Sequence, residues 1–155
     1  MANSAKLFIL RLQNVYGPGQ AINNAYTGIV TLFTRLGLNS ESIPVYEDGL
    51  ICRDFDYISD VVEAIEAAML NDFAVDVSAF DIGSGVTTTV LELAEKISSM
   101  IGSPAPHVNG KFRTGDVRWA SASMKAARDH LGWEPRVSLS SGLKRLIPWI
   151  QNSTE

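Results

Sequence analysis

The stretch Ala79-Phe80-Asp81-Ile82-Gly83-Ser84-Gly85-Val86-Thr87-Thr88-Thr89-Val90-Leu91-Glu92 decides the fold class. Its first four residues read as a short strand and Gly83-Ser84-Gly85 as a tight turn. Thr89 stands three residues before Glu92, the spacing at which a hydroxyl and a carboxylate satisfy two free N–H groups of a first helical turn. Val90, Leu93, Ala94, Ile97 and Ile101 then recur at helical spacing, and Gly102 stops the helix. Strand, glycine turn and amphipathic helix in succession make one α/β unit.

The alternation continues in both directions. Lys6-Leu7-Phe8-Ile9-Leu10-Arg11 is an apolar run that reads as a strand buried on both faces, followed by a loop at Gly17-Pro18-Gly19. A helix is expected over 26–36, from Tyr26 to a stop at Gly37. Strands are expected over 43–46 and 53–58, with the turn signal Asp48-Gly49 between them. The next helix spans 60–70, with Asp60 as its cap and Val61, Ala64, Ile65 and Ala68 as its apolar stripe. Residues 102–118 read as irregular. A short helix over 124–131 closes at Gly132, and a last helix over 141–151 contains Pro148, which should kink it or move its start.

At 155 residues, with 46% hydrophobic and 19% charged, the chain suits one globular α/β domain. A net charge of -4 argues against general attraction to nucleic acid or anionic lipid. Cys52 is the single cysteine, so neither an internal disulfide nor a cysteine metal site is expected. No apolar run approaches the ~20 residues of a membrane span. Residues 1–6 lack the apolar core of a signal peptide, and a cytoplasmic location is the expectation. His107 and His130 show no partner spacing and read as structural or surface residues. Gly83-x-Gly85 suggests a dinucleotide loop, but the third glycine of that fingerprint would fall at Thr88, so the turn reads as structural.

Three segments carry more specific information. They are Leu10-Arg11-Leu12-Gln13-Asn14-Val15-Tyr16-Gly17-Pro18-Gly19-Gln20; Glu47-Asp48-Gly49 followed by Arg53-Asp54-Phe55-Asp56-Tyr57-Ile58-Ser59-Asp60-Val61; and Phe112-Arg113-Thr114-Gly115-Asp116-Val117-Arg118 with Leu131-Gly132-Trp133-Glu134-Pro135. In this order, with 80–85 between the second and third, they resemble the C-terminal halves of extended short-chain dehydrogenases acting on nucleotide-activated sugars. The wording is most similar to 4-epimerases and dehydratases that use dTDP- or UDP-sugars. The resemblance implies roles. Asn14 would contact the substrate phosphates, and Gln13 and Val15 would lie near the nicotinamide of NAD. Backbone groups of Asn24 and Ala25 would meet the pyrimidine base, with Tyr46 packed against it. Arg53 and Arg113 would hold the pyrophosphate, and Asp116 a ribose hydroxyl. The chemistry agrees, because a guanidinium binds phosphate oxygens in pairs and a flat wall suits a base. Without the resemblance, Arg53 with Asp54 and Arg113 with Asp116 read as surface ion pairs, and Tyr46 and Trp133 as core aromatics.

The family's chemistry also implies a Tyr-x-x-x-Lys pair. Four residues after the tyrosines stand Gln20, Val30, Leu50 and Val61, so no catalytic residue is assigned. The expectation is a C-terminal portion of a Rossmann-type fold with its small substrate-binding domain, without the N-terminal half that binds most of the NAD. Residues 1–22 would be a last-strand remnant with its loop. Residues 23–155 would be the substrate-binding region, with a further sheet strand near 79–82. Such a chain would clamp a UDP- or dTDP-sugar without turning it over; a non-catalytic nucleotide-binding module or a self-associating scaffold stays open beside this reading. Its uncovered sheet predicts a homodimer, a strand-exchanged oligomer or poor solubility.

Overall fold

The computed structural model describes residues 7–24, 27–71, 77–112 and 114–153; Ala25, Tyr26 and Arg113 lie outside them. In chain order the elements are β1 Leu7–Leu12, β2 Asn14–Tyr16, α1 Ile29–Leu38, β3 Pro44–Val45, β4 Cys52–Tyr57, α2 Ile58–Leu70, β5 Val77–Ile82, β6 Thr87–Thr89, α3 Val90–Ile101, β7 His107–Val108, α4 Lys125–Leu131 and α5 Leu139–Ser153.

Two segments change sheets side by side. β1 runs parallel to β5, from Leu7 opposite Val77 to Leu12 opposite Ile82. The Gln13 N–H then donates to Ile82 O at 2.9 Å, and the chain resumes as β2, parallel to β4. Past Ile82, the turn at Gly83–Gly85 sends the other segment into β6, antiparallel to β4. β4 therefore lies between β2 and β6, and β3 pairs in parallel with β7. Helices α1, α3 and α5 bury Phe33, Phe55, Leu93, Ile97, Leu143 and Leu146 in one core. Helices α2 and α4 close a second core around Phe80, Ile82 and Trp133.

Local signals placed α3 as expected. Thr89 Oγ1 accepts from Glu92 N at 3.1 Å, Glu92 Oε2 accepts from Thr89 N at 2.7 Å, and Gly102 ends the helix in the left-handed conformation. Other elements differ from the sequence reading. Helix α1 runs through Gly37 to Leu38, because a Cβ there would lie 3.0 Å from Ile101 Cδ1; the glycine lets α1 and α3 approach. Asp60 is not the cap of α2. The helix starts two residues earlier at Ile58, and the Asp60 carboxylate accepts the Arg136 and Val137 N–H groups, both at 2.8 Å. The Asp48-Gly49 turn forms, but its flanking strands pair elsewhere. Short strands β6 and β7 form where none was expected, because their partners are distant in sequence. Pro148 lies inside α5, which starts at Leu139 rather than near 141. β1 is not buried on both faces. Phe8 and Leu10 pack against the second core, whereas Leu7 is 55% and Ile9 44% exposed.

Candidate functional site

β4 explains the site, since its residues alternate between two covered faces. Arg53 and Phe55 line a cleft of about 380 Å³, together with Asn14, Val15, Tyr16, the start of α1 and Asp116. Asp54 lies on the other face. Its carboxylate accepts from Ser84 N at 2.7 Å, Ser84 Oγ at 2.6 Å and Gly85 N at 2.9 Å. The Arg53–Asp54 pair of the composition-based reading therefore does not form.

The guanidinium of Arg53 is held from one side. Nη1 donates to Cys52 O at 2.8 Å and to Val117 O, and Nη2 donates to Asp116 Oδ1 in an ion pair. Arginine has five N–H donors. Three are engaged, so Nε–H and one Nη2–H carry no acceptor among the described residues. Two such hydrogens can take two oxygens of one phosphate.

Helix α1 opens onto the same cleft at Gly28, Ile29 and Val30. Gly28 at its N-cap offers no side-chain cap, and no acid occupies the first turn. The positive end of the helix dipole therefore lies at the cleft, with no acidic side chain in the first turn and no side-chain cap among the described residues. Ile51, Phe55 and Val90 supply an apolar wall. An anionic group joined to a flat apolar one fits this combination.

Of the residues read from the sequence, the structure brings Asn14, Val15, Arg53 and Asp116 together at the cleft. Gln13 packs beside the glycine turn, where a Cβ on Gly83 would lie 2.8 Å from its Cγ. Asn24 is exposed in the loop before α1, its N–H donating to Thr27 Oγ1 at 3.2 Å. Tyr46 is 45% exposed, so it is no core aromatic, and it does not line the cleft. Trp133 is a core aromatic, 4% exposed, with Nε1 donating to Asp60 O at 2.9 Å. His107 and His130 are at the surface. Sequence reasoning missed Gln20, Gly28 and Phe55 at the cleft. A glycine rather than Ser, Thr, Asp or Asn ahead of the apolar helix was the available signal for Gly28.

Two groups bear on chemistry. Burial pushes the Tyr16 hydroxyl up, with Tyr57, Asp56 and Asp60 adding to the effect. It therefore stays protonated at neutral pH, opposite to what a tyrosine base needs. The glycine turn does not fit a dinucleotide. The amides a pyrophosphate would use there are filled by the chain's own Asp54 carboxylate.

The fold is that of the extended short-chain dehydrogenases, of which this chain is a C-terminal portion. The pattern of the GDP-mannose 4,6 dehydratase family matches residues 2–146, and the chain belongs to that family. A dTDP-L-rhamnose 4-epimerase from Burkholderia thailandensis is 49% identical over 150 residues, 97% of this chain and 41% of that protein. The crystal structure of a UDP-glucose 4-epimerase with UDP-glucose from Thermotoga maritima matches with a TM-score of 0.87 and 36% identity, over 96% of this chain and 47% of that one. The UDP-glucose 4-epimerase of Thermus thermophilus in complex with NAD matches with a TM-score of 0.81 and 27% identity, over 96% and 47%. The chain thus spans less than half the length of these relatives. No helix among the described residues is long and apolar enough to cross a membrane.

Proposed function

We propose that this chain binds the nucleoside diphosphate of a dTDP- or UDP-sugar, as the substrate-binding portion of an NAD-dependent epimerase or dehydratase acting in the cytoplasm. The observation that carries this reading is the pair of unused Arg53 donors in a cleft that also receives the start of α1. Asn14 would add a phosphate contact and Arg113 a second guanidinium, with Tyr46, Asn24 and Ala25 toward the base. Gln13 and Val15 would border the nicotinamide of NAD, which would be held mainly by residues outside this chain. No Tyr-x-x-x-Lys pair is present and Tyr16 is held protonated, so the chain alone is inactive in this reading.

Calorimetric titration with dTDP, UDP and NAD tests it. A pyrimidine nucleotide should bind and NAD should not. Arg53→Ala and Arg113→Ala should each cost roughly 1.5–3 kcal/mol of that binding, the range for hydrogen bonds to a charged group. Unchanged binding in both variants would remove the assignment. A second reading, a self-associating scaffold, is favoured by the exposed Leu7 and Ile9 on β1.

A further inference from the structure

Arg53 is anchored by acceptors from two segments, Cys52 O on its own strand and Val117 O with Asp116 Oδ1 on the 114–118 loop. That loop is fixed in turn. Cys52 N donates to Arg118 O at 2.9 Å, Ala120 N donates to Cys52 O at 3.1 Å, and Arg118 pairs with Glu47 and Asp48. The Arg53 side chain is only 14% exposed, whereas that of Asp116 is 31% exposed. A flexible side chain is thus pinned in one orientation at the cleft wall. We propose that Asp116 is a positioning residue for anion binding, fixing the Arg53 guanidinium so that its two unused N–H groups face the cleft. This rests on the nucleotide-binding reading above.

Two effects of Asp116 oppose each other. Its negative charge repels an incoming phosphate, so removing it favours binding. Its bond to Nη2 pre-orders the guanidinium, so removing it disfavours binding by restoring rotamer freedom that the ligand must then take away. The second effect wins. It also differs from a direct contact between Asp116 and a ribose, because inorganic pyrophosphate has no ribose.

The experiment titrates the chain, Asp116→Ala and Asp116→Asn with inorganic pyrophosphate and with dTDP at low salt, and compares thermal unfolding. Asp116→Ala should weaken both ligands about ten-fold, on the scale of one charge-assisted hydrogen bond. Asp116→Asn keeps an acceptor and should recover part of the loss. If the alanine variant does not fold, a weaker pyrophosphate affinity in the asparagine variant carries the test. Pyrophosphate binding that is unchanged or tighter in the variants overturns the inference but leaves the nucleotide-binding reading standing. A wild-type chain that binds neither ligand overturns both.

Discussion

Asp56 is a residue whose sequence neighbours give no hint of its state. It is fully buried, and neither carboxylate oxygen has a hydrogen-bond partner among the described residues. Asp54 and Asp60, also buried, lie nearby, but each is satisfied by backbone N–H groups. Desolvation first, then the charges of Asp60 and Asp54, push the Asp56 carboxyl up to about 7, against a weaker opposing pull from the Tyr57 N–H, which lies near the carboxylate without a hydrogen bond's geometry. The folded chain therefore holds this proton more tightly than the unfolded chain, where the carboxyl sits near 3.8. The resulting stability is complete below that lower value and is lost as pH rises through about 7. The whole change is on the order of 4 kcal/mol as an upper bound. Between pH 5 and pH 8 about two of the three pH units of that window are crossed, so the unfolding midpoint should fall by roughly 5–10 °C at most. Asp56→Asn should flatten that slope and make the chain more stable than wild type at pH 8. Equal slopes for the two proteins would show that another group titrates.

Helix α3 illustrates what an element can announce by itself. Its capping box, apolar spacing and left-handed glycine are local, and all were legible. Thr89→Ala should lower stability by about 1 kcal/mol, since the Glu92 N–H in the first turn loses its side-chain partner. Thermal unfolding should register a drop of roughly 2–4 °C, and a midpoint within 1 °C of wild type would speak against the cap. What was not legible depends on contacts across the chain. Gly37 reads as a helix stop but serves the α1–α3 approach, and Asp60 reads as a cap but binds residues 136 and 137. In β4, the sequence Arg53-Asp54-Phe55-Asp56-Tyr57 alternates correctly, yet a strand with one solvated face would put both aspartates in water. They are buried because the turn at 83–85 and helix α2 cover that face. At the cleft, the family resemblance supplied Asn14, Val15, Arg53 and Asp116. The Arg53–Asp116 pair needs the 114–118 loop folded back onto β4, which no local pattern encodes.

Across the molecule, the two cores differ in how well they are enclosed. Three helices wrap the first, whereas β1 and β5 form a pair with helices packed on one side. Among the described residues β1 has β5 as its only strand partner. On the uncovered face Leu7 and Ile9 stand exposed, and Arg11 bonds Asp81 across that pair at 2.6 Å. An exposed apolar face of this kind invites association with a second copy, and the Arg11–Asp81 contact does little to prevent it. The chain should therefore self-associate, giving a dimer or larger species in multi-angle light scattering at tens of micromolar. Ile9→Lys puts a charge on the face without touching either core, and it should shift the population toward monomer while leaving nucleotide binding intact. A wild-type chain that stays monomeric and soluble at that concentration would mean that Leu7 and Ile9 tolerate water. The scaffold reading would then lose its one structural support, and the cleft beside Arg53 would remain as the feature of this chain that calls for a ligand.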